Sequence, residues 1–101
     1  MEGKALRIVI AGRGCGACRE LLARTREACA ALSLPAEIEE VLEEEDALER
    51  FGLEHLPALL VEGRLVCQGF LPSTALLTGW LDAIARGEMP GQGGEASGRG
   101  P

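Results

Sequence analysis

Two cysteines separated by two residues, in the segment Cys15-Gly16-Ala17-Cys18, have the clearest chemical potential in this sequence. On a helix, side chains three residues apart lie on one face, close enough for their sulfur atoms to form a disulfide. At the start of a helix, free backbone N–H groups and the helix dipole stabilise a thiolate, which is the species that attacks disulfides. The segment therefore predicts a redox-active pair, with Cys15 as the attacking thiol and Cys18 as the more buried resolving thiol.

The residues around the pair favour contact with another protein. Gly14 and Gly16 carry no side chain, so they would let a partner's backbone approach the Cys15 sulfur. Arg13 and Arg19 either add positive potential that favours a thiolate or are simply solvated.

A metal site is the main alternative use of paired cysteines, and zinc normally takes four protein ligands. Cys29 follows Cys18 by eleven positions, about 16 Å along one helix, so the two can share neither an ion nor a disulfide. We interpret Cys29 as a small buried apolar residue and Cys67 as a strand residue of undetermined facing, with a secondary redox role still open. His55 is the only histidine, and it is typical of a surface or turn position. We therefore expect no structural metal.

The elements that would position the pair follow from hydrophobic spacing and from turn residues. The acid-rich segment between Glu37 and Glu49 also suits a helix, and we divide it into a strand and a short helix. Ser73 is a candidate N-cap, and Gly52 and Gly87 are candidate stops. The predicted elements are a strand at 7–11 with Leu6 in front, a helix at 17–32, a strand at 36–42, a helix at about 45–51, a hairpin of strands 58–61 and 64–68 turning at Glu62-Gly63, and a helix at 73–86.

This order of elements predicts an α/β sandwich with one mixed sheet and helices on both faces. The first helix has an apolar face that would pack on the sheet. The last helix has an apolar face of the same kind. These faces consist of Cys18, Leu21, Leu22, Thr25, Ala28, Cys29 and Leu32 in the first helix, and of Leu76, Leu77, Trp80, Leu81 and Ile84 in the last.

Composition excludes several classes of function. The 101 residues suit one domain, which we place at 1–87, followed by a disordered Gly-rich tail at 88–101. Only 3% of residues are aromatic, which disfavours an aromatic-lined cofactor pocket, and we expect no cofactor. A net charge of −6 without a basic patch argues against nucleic acid and anionic membranes as partners. The N-terminal residues lack a signal-peptide pattern, so we expect a cytoplasmic protein. We also expect the protein to be a monomer.

A strand leading into Gly-Cys-Gly-Ala-Cys at a helix start, followed later by Leu56-Pro57 before a hairpin, resembles the thioredoxin superfamily. More narrowly, it is similar to the small thioredoxin-like redox-active disulfide proteins of archaea and bacteria, over about residues 4–86. The resemblance implies a thioredoxin-like three-layer sandwich with a four-stranded mixed sheet in the order β-α-β-α-β-β-α. It also implies a cis peptide bond at Leu56-Pro57 facing the Cys15 sulfur, with the Leu56 backbone pairing with an extended substrate segment. The substrate-binding residues it implies are Gly14, Gly16, Ala17, Leu56 and Pro57.

The chain departs from ordinary thioredoxins at several positions. Gly14 stands where they place a Trp before the first cysteine, and Gly16-Ala17 replaces their Gly-Pro. Val9 stands where they carry a buried acid, so an internal carboxylate at that position cannot assist proton transfer. Residues 68–73 lack the glutathione-binding segment of glutaredoxins, so glutathione dependence is not expected.

The resemblance implies a thiol–disulfide oxidoreductase that reduces disulfides of protein substrates. An external thiol reductase, such as a flavin-dependent one, would restore the dithiol, because the chain has no dinucleotide-binding glycine motif. One alternative is a carrier that binds Cu(I) or a similar soft ion through Cys15 and Cys18. Metallochaperones of the ferredoxin-like class also place such a pair between a strand and a helix, but they need neither Pro57 nor the last helix. The other alternative is a redox-sensing interaction module whose disulfide state changes its choice of partner.

Overall fold

The structure, a computed structural model, describes residues 5–14 and 16–88. Its elements follow the predicted order, with boundaries that differ from the predicted ones by about one residue. They are β1 (Leu6–Ala11), α1 (Gly16–Ala31), β2 (Ala36–Val41), α2 (Glu44–Phe51), β3 (Ala58–Val61), β4 (Arg64–Gln68) and α3 (Thr74–Ala85).

The four strands form one mixed sheet in the order β2-β1-β3-β4. β1 and β2 are parallel, with Ile8 opposite Ile38. β3 is antiparallel to both β1 and β4, with Leu59 opposite Ile10 on one side and Cys67 on the other. The predicted α/β sandwich with a mixed sheet is confirmed.

Helices cover both faces of the sheet because strand side chains alternate between the faces. Ile8 and Ile10 of β1 belong to a core cluster with α1 and α3, whereas Ala11 belongs to a smaller cluster with α2. The larger cluster comprises Ile8, Ile10, Leu21, Ala28, Cys29, Leu59, Val61, Cys67, Leu77 and Leu81. The smaller comprises Ala11, Val41, Ala47, Leu53 and Ala58.

Local signals explain where α3 begins and where α2 ends. Ser73 is the N-cap of α3, and its side-chain oxygen accepts a hydrogen bond from the Leu76 backbone N–H at 3.1 Å. α2 ends at Gly52, whose φ of 65° is in the left-handed region that favours glycine. The acidic side chains in the first turn of α2 also interact favourably with the helix dipole.

The predicted apolar face of α3 is wrong at one position. Leu77 and Leu81 are fully buried, and Trp80 and Ile84 pack partly against the same core, but Leu76 is 42% exposed. Consecutive helical residues lie about 100° apart, so with Leu77 directed at the core Leu76 lies toward the edge of the packed face, and at the start of the helix that edge is exposed.

Two predictions concern segments at the ends of the chain. The domain boundary at residue 87 falls just after α3, but the predicted tail lies, from residue 89 onward, outside the described residues.

Within the described ranges, none of the three helices has the length and apolar character needed to span a bilayer.

Candidate functional site

The loops that carry the two sequence motifs lie at the same end of the sheet. β1 and β2 run in parallel, so both finish there, at Ala11 and Val41. β3 is antiparallel to β1 and therefore begins there, immediately after Leu56 and Pro57. α1 also begins at this end because it follows β1 after a short loop. The topology thus brings together segments that are far apart in the sequence.

Cys18 lies in the first turn of α1 and is 2% exposed. Gly16, at the start of the helix, is exposed, and Ala17 is half-buried. Cys15 lies outside the described residues, so its predicted role as the attacking thiol stays a prediction. The buried position of Cys18 is compatible with a thiol that reacts only within the protein.

Gly12 makes room for the Cys18 sulfur, and sequence reasoning missed this residue. A Cβ atom placed on Gly12 would overlap Cys18 Sγ, and it would lie 4.0 Å from Pro57 Cβ. Gly12 is therefore the point at which the cysteine motif and the Leu56-Pro57 segment meet. The sequence signal is a glycine directly after a buried strand, and such a glycine is equally typical of an ordinary strand end.

Leu56 and Pro57 are both half-buried, and the peptide bond between them is cis. The Pro57 carbonyl accepts a hydrogen bond from the Gly69 N–H at 2.8 Å, which ties the segment to the loop after β4. Gly69 has a φ of 86°, and a Cβ there would approach the His55 Cβ to 3.1 Å. Gly69 thus keeps the Leu56-Pro57 segment close to the neighbouring loop.

Arg13 and Leu42 bring a charge and an apolar side chain to this end of the sheet. Arg13 forms an ion pair with Glu44 of α2 at 3.3 Å, and both side chains are largely exposed. This pair offsets part of the positive potential expected from Arg13. Leu42 is 37% exposed and lies beside Gly14, within 3.7 Å of where a Gly14 Cβ would stand. Gly14 itself is exposed, with a φ of 79°.

An open groove of about 180 Å³ adjoins Leu56 on the side of α2. His55 is exposed at its rim, in agreement with the surface position predicted for this residue. The Gln68 side-chain oxygen accepts hydrogen bonds from the backbone N–H groups of Glu54 and His55, at 3.0 and 3.1 Å. These bonds fix the loop that leads into Leu56. The groove is lined by Arg13, Glu44, Leu48, Glu54, His55, Leu56 and Gly69.

Cys29 and Cys67 are buried in the larger core cluster. Cys29 is thus a small buried residue, as predicted, and the undetermined facing of Cys67 is resolved toward the core. Burial raises the pKa of the Cys29 thiol above its usual value. Burial also raises the pKa of Cys67 to about 11, although a backbone hydrogen bond involving Leu59 opposes the shift. Both residues therefore stay as thiols near neutral pH, which disfavours a secondary redox role for Cys67.

The raised pKa of Cys67 predicts a loss of stability in alkali. Above pH 9 the unfolded chain loses the Cys67 proton, whereas the folded chain keeps it until about pH 11. The unfolded state therefore binds fewer protons in this range, and the free energy of unfolding falls as pH rises. A shift of two pKa units corresponds to roughly 3 kcal/mol at most.

Urea unfolding at pH 8 and pH 11 measures this loss. The sequence has no Tyr, so few other side chains titrate in this range. The Cys67→Ala variant should lose less stability between the two pH values than the wild type, with the remaining loss coming partly from Cys29. Equal losses in the two proteins would contradict the assignment.

Within residues 5–14 and 16–88, no three or more His, Cys, Asp or Glu side chains come together in a way that could hold a metal ion. Val9, which stands where the resemblance places a buried acid in ordinary thioredoxins, is half-buried and packs against the smaller core cluster. The described part of the site thus combines one buried thiol, a glycine contact and the cis Leu56-Pro57 segment.

Three comparisons with known proteins bear on this site. A family model described as a thioredoxin domain matches residues 6–82. A protein named thioredoxin from Methanothermobacter thermautotrophicus is 40% identical over 68 residues, which is 67% of this chain and 87% of that protein. A solved structure titled "Structure of a malarial protein" aligns with a TM-score of 0.55 at 12% identity, covering 86% of this chain and 100% of that one. At that identity, the solved structure supports the fold alone.

Proposed function

This chain belongs to the thioredoxin family, and from that membership we propose that it is a thiol–disulfide oxidoreductase that reduces protein disulfides through Cys15 and Cys18. The observation that carries the proposal is the burial of the Cys18 sulfur against Gly12, beside Pro57, in the first turn of α1. A buried thiol in this position can attack a neighbouring sulfur but cannot readily meet a large external substrate.

In the first step, the Cys15 thiolate attacks one sulfur of a substrate disulfide. Cys15 directly precedes Gly16, where α1 begins, and the first backbone N–H groups of a helix have no partner within the helix. These groups and the helix dipole stabilise negative charge at such a position. The attack forms a mixed disulfide between Cys15 and the substrate, and the other substrate sulfur leaves as a thiolate.

In the second step, Cys18 resolves the mixed disulfide. The Cys18 thiolate attacks the Cys15 sulfur, so a Cys15–Cys18 bond forms and the bond from Cys15 to the substrate breaks. The electron pair of the broken bond leaves with the substrate sulfur, which takes a proton from solvent. The substrate has gained two electrons, and the cysteine pair has lost two.

The proposed substrates are proteins that present a disulfide in an extended segment. Leu56 is half-buried at the edge of the site. Its backbone pairs with that segment in the proposed complex. Gly14, Gly16 and Ala17 flank Cys15 in the sequence and have no large side chains; Gly14 and Gly16 are exposed, and Ala17 is half-buried. Pro57 shapes the opposite wall next to Gly12.

An external thiol reductase returns the oxidised pair to the dithiol and completes the cycle. We place this cycle in the cytoplasm, because reducing systems there keep thiols reduced.

Turnover of insulin disulfides with dithiothreitol as the reductant tests the proposal. The wild type should accelerate precipitation of the reduced insulin chains, and Cys15→Ser should abolish the acceleration because no attacking thiolate remains. Cys29→Ala is the matched control: it removes a buried thiol that the mechanism does not use, so it should keep the activity. A wild type that leaves the rate unchanged, or a fully active Cys15→Ser variant, would refute the proposal.

A further inference from the structure

Gly12 lies in the loop between β1 and α1, and its backbone is held in place. It is buried, and its N–H donates a hydrogen bond to the Val41 carbonyl at 2.9 Å. This bond continues the contact between β1 and β2 by one residue beyond Ala11. The Gly12 backbone is therefore held to β2, and a large displacement would break a buried hydrogen bond.

The space at Gly12, and not its backbone conformation, requires a glycine. Its φ lies outside the left-handed region, unlike that of Gly14 or Gly69, so an alanine could adopt the same backbone. A Cβ there would nevertheless overlap Cys18 Sγ, and it would lie 3.5 Å from Cys18 Cβ. The obstacle is thus the sulfur atom itself.

Neither partner in this overlap can yield at low cost. The Cys18 side chain is 2% exposed and is surrounded by packed atoms, so a large movement of its sulfur requires a new rotamer or a shift of the first turn of α1. Pro57, which also borders the Gly12 position, limits movement in its direction. A side chain at residue 12 would therefore displace the sulfur rather than share its space.

We propose that Gly12 is a positioning residue for the resolving step: by lacking a side chain, it lets the Cys18 sulfur occupy the place from which it attacks the mixed disulfide. This inference rests on the proposed function, because it concerns only the second of the two exchange steps. Gly12 takes no part in the chemistry. In that step the Cys15–Cys18 bond forms, the bond from Cys15 to the substrate sulfur breaks, and the substrate thiolate leaves.

The test separates the two steps with 5,5′-dithiobis(2-nitrobenzoate), a symmetrical aromatic disulfide. Attack by Cys15 releases one coloured thiolate and leaves the other on Cys15, and attack by Cys18 then releases the second. In Gly12→Ala the first release should stay within about twofold of the wild-type rate, because that step does not use the Cys18 sulfur. The second release should slow by about tenfold or more, since small misplacements of a reacting atom have effects of this size.

Gly79→Ala is the matched control. Gly79 lies within α3, and a Cβ there would meet no atom within 4 Å. Both releases should keep the wild-type rate in this variant. Equal second-step rates in Gly12→Ala and the wild type would overturn the inference and leave the proposed function intact. A wild type that never releases the second thiolate would instead refute the proposed function.

A stability cycle keeps the contact testable even if Gly12→Ala folds poorly. Cys18→Ala removes the sulfur, so Gly12→Ala should lower the urea midpoint strongly in the wild-type background and much less in the Cys18→Ala background. Folding of the double variant when Gly12→Ala alone does not fold would support the contact. Equal losses in both backgrounds, or failure of both to fold, would overturn it.

Discussion

The Cys18→Ala variant is expected to stop at a covalent complex with its substrate. Cys15 can still attack the disulfide, but no second thiol is placed to release the product, so the mixed disulfide accumulates. Steady-state turnover of insulin should fall by about two orders of magnitude or more, as is usual when one member of a catalytic pair is removed. Non-reducing gels and mass spectrometry would detect the complex after the pre-reduced variant is mixed with insulin in the absence of free thiol, and dithiothreitol added afterwards should reduce it.

Alanine suits this test better than serine. Cys18 is 2% exposed, and a serine hydroxyl without a partner at such a position would cost stability as well as chemistry. Cys29→Ala again provides the control, because it removes a buried thiol from the same helix. Turnover at the wild-type rate in Cys18→Ala, with no covalent complex, would contradict the resolving role.

The Leu77→Ala variant is expected to have the largest effect on stability. Leu77 is fully buried in the cluster through which α3 packs against α1 and the sheet. Removing a buried leucine side chain costs about 2–5 kcal/mol, because transfer free energy is lost and a cavity remains. The free energy of unfolding of domains of this size is about 5–15 kcal/mol, so the variant should lose a large fraction of its stability. Urea unfolding with the wild-type m value would report the loss.

Leu76→Ala is the control that the helix itself provides. It is the same substitution at the preceding residue of α3, so the change in side-chain chemistry is identical and the change in helix propensity is similar. Leu76 is 42% exposed, and the variant should change the free energy of unfolding by less than about 1 kcal/mol. Similar losses at the two positions would contradict the packing described for α3.

The secondary structure could be predicted well from local patterns. The hairpin was predicted at its observed boundaries, because four apolar residues, the pair Glu62-Gly63 and a second strand pattern leave few alternatives. The acid-rich segment suits both a strand and a helix, yet Gly52 marks the end of α2 correctly. Such signals depend on residues close in the sequence, and they act whether or not the rest of the chain has folded.

Side-chain facing was harder to predict. Leu76 was expected on the apolar face of α3, but helix periodicity alone does not set the rotation of a helix against its neighbours. The sequence does not determine which face of the sheet carries Cys67, because β4 lies at an edge of the sheet and only the packed helices decide which of its side chains are covered. Both positions needed the tertiary contacts.

For the site, the sequence by itself determined which reactive groups are available. It provides Cys15 and Cys18 with two residues between them at a helix start, and it provides Leu56-Pro57 before a hairpin. Only the tertiary structure decided that the Leu56-Pro57 segment meets the Cys18 sulfur at Gly12. The physical reason is that excluded volume between atoms distant in the chain exists only once the strands have paired and α1 has packed, and no local pattern encodes it.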